Sequence, residues 1–249
     1  MTDRRVIING DDFGLTHEIN LGIIEAYTRG ALTSASLMVG GAAVEEAVDL
    51  AKQNPGLSVG LHVAFSDTLP LHRLPRSLLT QSNGYFPPDD RLHRAALRSR
   101  AGRQQVRQEI AAQFEAYSKT GLPWGHVNSH RHAHEHPLVA TMMFREATRW
   151  PVKTTRIPYD PPTHIRFRVR STVLCQLAGM FHLVAPVRSI GRDWTPELVV
   201  QLLTTLPNGT HELYFHPGHD LFPRDLGVLL DERVTSLSKR NMRLMQVDG

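Results

Sequence analysis

Val6-Ile7-Ile8-Asn9-Gly10-Asp11-Asp12-Phe13-Gly14 is an apolar run that ends in two adjacent carboxylates beside glycines. The apolar half reads as a buried strand. The acidic half directs charge at solvent or at a ligand, because two carboxylates this close repel one another and call for an opposing charge. Neighbouring strand residues face opposite ways, so Asp11 and Asp12 reach one site only where the strand gives way to a turn, as Gly10 and Gly14 allow. One acid can then bind a metal ion while the other stays free as a base. The competing reading is a turn whose aspartates cap the helix starting near His17.

Outward from that strand, short apolar runs alternate with longer amphipathic stretches. His17 to Arg29 reads as a helix, with Ile19, Ile23, Ala26 and Tyr27 near helical spacing and Gly30 as the stop. Strands follow at Ala35–Val39 and Ser58–Ala64, with a helix at Ala42–Gln53 between them. Ser66 to Arg100 then breaks the pattern. Pro70, Pro75, Pro87 and Pro88 interrupt it, and it reads as a long excursion of the kind used for lids and binding loops. Helices are expected at Arg103–Lys119, Pro137–Trp150, Arg168–Leu183, Thr195–Leu206 and Asp225–Asn241. Strands are expected at Gly125–Ser129, Val152–Ile157, Val187–Ile190, Glu212–Phe215 and Met242–Val247.

Such alternation implies a parallel sheet, open or closed into a barrel. Polar signatures follow several separate strands: Asp11-Asp12, His62, His130, Arg156 and His216. Barrels gather functional groups at the C-terminal ends of many strands. An open doubly wound sheet focuses them near one switch point with a Gly-rich phosphate turn, which the opening stretch is not. The expectation is therefore an α/β fold, a (β/α) barrel of about seven parallel strands. It is expected to form one catalytic domain over residues 1–249, with the excursion at about 66–100.

A carboxylate and two imidazoles make a three-ligand site for a divalent ion with room for water. His62 lies in a strand, where a lone histidine is ordinarily a core residue; the neighbouring signals raise its standing as a ligand. His126-Val127-Asn128-Ser129-His130-Arg131-His132-Ala133-His134-Glu135-His136 is the most distinctive segment. If it stays extended, His130, His132 and His134 share a face; a surface tract binding adventitious metal is the bland alternative. His216, in Tyr214-Phe215-His216-Pro217-Gly218, sits at a strand end, and an ordinary imidazole pKa suits proton donation near neutrality. No Gly-x-Ser-x-Gly elbow occurs.

The net charge of +4 is a mild basic excess. Arg91, Arg94, Arg98, Arg100, Arg103 and Arg107 cluster without interleaved aromatics, so a solvated helix face is expected and nucleic acid is not. The single cysteine, Cys175, excludes an internal disulfide framework and fits a cytoplasmic location. No leader is read at Met1-Thr2-Asp3-Arg4-Arg5, and no run reaches the roughly 18 apolar residues of a membrane span. The longest apolar segment, Val173 to Val187, is expected to be a buried helix, with peripheral membrane contact as the alternative.

With these residues in place, the chain resembles the YdjC-like carbohydrate deacetylase family. The matching pieces are Ile-Ile-Asn-Gly-Asp-Asp-Phe-Gly from Ile7, Leu-Thr-Ser-Ala-Ser-Leu-Met from Leu32, Val-Gly-Leu-His from Val59, His-Val-Asn-Ser-His-Arg-His-Ala-His from His126, and His-Pro-Gly from His216. The resemblance implies a distorted (β/α) TIM-like barrel and metal-dependent removal of an N-acetyl group from an N-acetylglucosamine-type sugar. It implies one divalent ion, zinc or magnesium, on Asp12, His62 and His130, with Asp11 as base, His216 as acid and Arg156 orienting Asp11. Within the family the chain looks most like the hopanoid-biosynthesis-associated branch, through Ala35-Ser36-Leu37-Met38-Val39-Gly40 and Gly121-Leu122-Pro123. That likeness implies a lipid-linked acetylated amino sugar as substrate. The chitooligosaccharide branch tends to carry aspartate where this chain has Asn128, which weakens a chitobiose assignment. A metal phosphoesterase and a non-catalytic sugar- or lipid-binding barrel, the latter with His132 or His134 as a fourth ligand, are the other readings. A homodimer is a further expectation.

Overall fold

The computed structural model describes residues 4–72, 77–89, 91–158, 165–191 and 193–247. Met1 to Asp3, and with them the start of the N-terminal reading, lie outside the described residues.

The opening stretch forms β1 (Arg4–Phe13), which becomes fully buried from Ile8 onward. Helix α1 (His17–Thr28) follows, its first turn closed by Thr16, whose hydroxyl accepts from the Ile19 amide. Its apolar stripe of Ile19, Ile23 and Ala26 packs into the core. Then come β2 (Ser34–Leu37), α2 (Val44–Gln53) and β3 (Ser58–Val63). The proline-rich excursion contains a short helix, α3 (Arg91–Ala96), absent from the sequence expectation. It leads into α4 (Arg100–Lys119), capped by Ser99.

Two buried side chains of α4 tie the excursion down. Gln113 bonds both the amide and the carbonyl of Ala64, reading the end of β3 as a strand partner would. Glu109 accepts from the amides of Leu71 and His72 and from Gln113. Burial pushes the Glu109 carboxyl above its ordinary range, against those donors. Arg91, Arg94, Arg98, Arg100 and Arg107 are exposed along α3 and α4, a solvated basic face.

Downstream lie β4 (Val127–Ser129), a 3-10 turn at His130–Glu135, α5 (Pro137–Ala147), α6 (Ile165–Met180), β5 (Arg188–Ile190), α7 (Pro196–Thr205), β6 (Gly209–Phe215), α8 (Asp225–Leu230) and α9 (Glu232–Val247). Proline occupies the first turn of both α5 and α7, where its missing N–H costs nothing.

The strands form one all-parallel sheet in the order β4-β3-β2-β1-β6-β5. The α/β class expected from the alternation is present, but the barrel of about seven strands is not reached among the described residues. The segment expected as a strand at Val152–Ile157 makes only isolated bridges, Val127 with Thr155 and Thr154 with Val184. The strand expected at Met242–Val247 is the end of helix α9 instead. Its apolar positions, Met242, Leu244, Met245 and Val247, satisfy a helical period as readily as alternation. The long apolar segment is not a buried helix throughout. Leu174, Ala178 and Leu183 are buried, while Val173, Met180, Val184 and Val187 are exposed. Among the described residues no helix is long and apolar enough to cross a membrane.

Candidate active site

The C-terminal ends of β1, β3, β4 and β6 deliver Asp11, Asp12, His62, His130 and His216 to one cavity of about 520 Å³. Asp11 and Asp12 both reach it because β1 is irregular there. Its register against β2 shifts between Gly10 and Phe13, and Asp12 itself adopts φ 67°. The turn that the two glycines were expected to permit is thus made in part by the acid. Aspartate tolerates the left-handed region better than most residues, at a cost on the order of 1–2 kcal/mol.

Asp12 Oδ1 lies 3.3 Å from His62 Nε2 and 2.8 Å from His130 Nδ1. One ligand atom from each of these three residues falls within 4.8 Å of the others, a grouping that can hold a metal ion. The outer nitrogens are already engaged. His62 Nδ1 is 2.6 Å from Asn128 Oδ1, and His130 Nε2 is 2.9 Å from Asp67 Oδ2. Partners of this kind fix the tautomer and ring orientation of metal-binding histidines. Asp12 Oδ2 is buried without a hydrogen-bond partner, an orphan atom that a cation would satisfy. An oxygen with two imidazole nitrogens also suits a divalent ion chemically, so the residues present fit the expected group.

Asp11 is engaged differently. Arg156, only 1% exposed, grips it with Nη1 on Oδ2 and Nη2 on Oδ1, while Asn9 donates to Oδ1 at 2.8 Å. Arg156 also donates from Nε and Nη2 to Glu212 Oε1 at 3.0 and 2.7 Å, and its guanidinium lies 4.2 Å from the centre of the Tyr214 ring. Burial opposes ionisation of Asp11, but Arg156 outweighs it and holds the carboxyl far below its ordinary range. Asp12 is held low in the same way, with His130 overcoming burial. For His130, burial works against the imidazolium, yet Asp12 and Asp67 push its pKa up to about 9.

His216 Nε2 lies 3.9 Å from Asp11 Oδ2. Its backbone amide donates to Asp225 Oδ2 at 2.7 Å, and its Nδ1 sits 3.7 Å from the same oxygen. Phe222 stacks on the ring at 4.1 Å. Burial disfavours the charged ring, but Asp225, Asp12 and Asp11 outweigh it and raise the pKa.

His132 and His134 do not join the ligand group. The segment is not extended; it coils into a 3-10 turn with left-handed Arg131 and His132, which breaks the shared face. His132 turns to the Tyr214 hydroxyl at 3.1 Å. His134 is buried between the Ser129 hydroxyl and the Arg156 carbonyl. Burial pushes each ring down to about 3, so both are neutral packing groups at physiological pH.

Sequence reasoning missed Asp67, Asp225 and Glu212. Asp67 follows strand β3 closely, an acid at a strand's C-terminal end, and that position was its only signal. Glu212 is an acid inside an otherwise apolar strand, which calls for a buried cation. Asp225 carried no signal. Gly191, Asp193, Trp194, Leu221 and Phe222 also line the cavity, as does His132.

With this geometry in view, comparison with known proteins identifies the class. The pattern of the YdjC-like protein family matches residues 5–240, and the chain belongs to that family. A protein named carbohydrate deacetylase from Geobacillus stearothermophilus is 39% identical over 165 residues, 64% of each chain. Another of that name, from Vibrio cholerae, is 40% identical over 149 residues, 59% of this chain and 57% of its own. The matched stretch thus spans less than two thirds of these relatives. In fold, the chain is similar to an Enterococcus faecalis V583 protein named as a candidate for cellobiose-phosphate cleavage, with TM-score 0.76, 22% identity, and 97% and 95% of the two chains covered. It also resembles a lactam utilization protein from Thermus thermophilus, with TM-score 0.53, 16% identity, and 97% of each chain covered.

Proposed function

We propose that this chain is a metal-dependent carbohydrate deacetylase that hydrolyses the acetamide of an N-acetylglucosamine-type sugar. The observation that carries the reading is the meeting, in one cavity, of a three-ligand group with a clamped carboxylate and a carboxylate-backed histidine. A divalent ion on Asp12, His62 and His130 would act as a Lewis acid toward the acetamide carbonyl and would acidify a water.

The chain's own residues do the rest. Asp11, kept ionised by Arg156, takes a proton from the attacking water. His216, whose pKa is raised by Asp225, Asp12 and Asp11, gives a proton from Nε2 to the amide nitrogen. The C–N bond breaks, leaving acetate and a free amino sugar. Arg156 and Asn9 fix the direction of the Asp11 carboxylate, and Asp225 anchors the backbone of His216. Leu221, 69% exposed, and Phe222 at the cavity rim favour an apolar group attached to the sugar, as in a lipid-linked substrate with the protein at a membrane surface.

The test is acetate release by the metal-loaded protein, comparing an N-acetylglucosaminyl lipid with chitobiose. Faster release from the lipid supports the apolar acceptor, and no release from either substrate overturns the deacetylase reading. A phosphoesterase would often use two ions. Metal analysis is expected to give one ion per chain, matching the one ligand group among the described residues. His62→Ala and His130→Ala are each expected to lower metal affinity by more than ~100-fold, since even outer partners of ligands are worth about 10- to 100-fold. Unchanged metal content in either variant would contradict the ligand assignment.

A further inference from the structure

Ser36 is fully buried on β2, and its hydroxyl makes three hydrogen bonds. Asn9 Nδ2 donates to Oγ at 2.9 Å, Asn128 Nδ2 donates to it at 2.9 Å, and His126 Nε2 lies 2.9 Å away. A serine hydroxyl offers two lone pairs and one proton. The two amides fill the lone pairs, so the proton goes to His126 Nε2, which must be an unprotonated acceptor. Burial, which pushes the His126 pKa down to about 4, agrees.

Both amides lead from Ser36 to the reaction centre. Asn9 places its other N–H on Asp11 Oδ1, and an ionised carboxylate can only accept. With its Nδ2 on Ser36, Asn128 has its Oδ1 left for His62. His62 must then carry its proton on Nδ1, and the lone pair on Nε2 faces Asp12. With the amide of Asn128 reversed, His62 Nδ1 would accept and Nε2 would carry hydrogen, a form that cannot bind a cation.

The reach of Ser36 across the sheet depends on Gly60. Strand β3 lies between β2 and β4, with Gly60 in register with Ser36. A Cβ on Gly60 would fall 2.4 Å from His126 Nδ1, so the absent side chain is the space through which β2 meets His126.

We propose that Ser36 is a positioning residue: by orienting Asn9 and Asn128 together, it sets the direction of the Asp11 carboxylate and the tautomer of His62. This rests on the reading of Asp11 as base and His62 as ligand. It is tested on the full chain by Zn²⁺ affinity, measured by chelator competition, together with the kinetics of acetate release. Ser36→Ala is expected to weaken Zn²⁺ binding by about 10-fold and to lower kcat with little change in KM. Aspartate at position 128 needs no orienting, since both its oxygens accept from His62. In an Asn128→Asp background, Ser36→Ala should therefore change Zn²⁺ affinity by less than about twofold. Equal losses in both backgrounds, as a packing role would produce, or wild-type affinity in Ser36→Ala alone, overturn the proposal. The affinity readout needs no substrate, so a failure to release acetate would count against the deacetylase reading and leave this result standing.

Discussion

Asp11→Asn is expected to lower kcat by ~100- to 10,000-fold, the range a positioned general base contributes. The substitution keeps the shape of the side chain and leaves Asp12, His62 and His130 intact. Bound metal, measured by competition, should stay near the wild-type level. Asparagine can still accept from Asn9 and from one Arg156 nitrogen. Its amide group, however, meets the other Arg156 nitrogen donor to donor, and it cannot take the water's proton. A stability loss of about 1–3 kcal/mol from the frustrated donor is expected in denaturant titrations. Acetate release retained within tenfold would remove Asp11 from the role of base. Metal lost together with activity would instead mean that Asp11 is a ligand.

Arg156→Met is expected to be the most destabilising single change near the site. The guanidinium is the shared partner of Asp11 and Glu212, both buried, and the Oε2 of Glu212 already lacks a partner. Removing the cation leaves two carboxylates in the interior, a loss of about 3–5 kcal/mol by analogy with broken buried pairs. The effect has a signed dependence on pH. In the wild type, the Asp11 pKa is depressed below its ordinary value of 3.8. The stability it contributes is fully present above that value and is lost as pH falls through the folded-state pKa. In the variant, burial is opposed only by His62, His216 and the Asn9 hydrogen bond, so the carboxyl pKa rises and protonation relieves the penalty as pH falls from neutrality. The stability gap between the two proteins should therefore be widest near pH 7 and narrow toward pH 5. A gap that is flat with pH would mean the loss comes from packing. Lysine is not expected to rescue the site, because a point charge cannot grip two carboxylates in the forked geometry.

The residues of the candidate site were legible where a strand presented them. Asp11, Asp12, His62, His130 and His216 each lie in or just after a segment that forms a strand, and parallel strands bring such ends together; Arg156 lies in a segment that makes only isolated bridges. What misled was local backbone. His132 and His134 share a face with His130 only in an extended chain, and two consecutive left-handed residues remove that premise. Periodicity cannot reveal a sign change in φ. Asp67 lay inside the proline-broken excursion, where no periodic pattern marks a position as facing the site. The missing seventh strand has a similar origin. Val152 to Ile157 has strand composition, but its bridges, Thr155 with Val127 and Thr154 with Val184, stay isolated. The apolar stretch after Val173 read as buried because it is dense in valine and leucine, whereas only one face of it meets the core.

The left-handed backbone at Asp12 limits how this site can be retuned. Glycine, asparagine and aspartate are the residues that visit that conformation readily, and aspartate alone among them brings a charged ligand. Exchange for glutamate, one route to another metal preference, would add backbone strain on the order of 1–3 kcal/mol to whatever the new ligand gains. Adaptation to a different ion is therefore channelled away from the first strand. Asp67, at φ 63°, carries the same constraint, so the position beside the proposed ligands with freedom to vary is Asn128, where a change of charge or hydrogen bond alters the donor strength of the His62 imidazole without disturbing the chain that carries it.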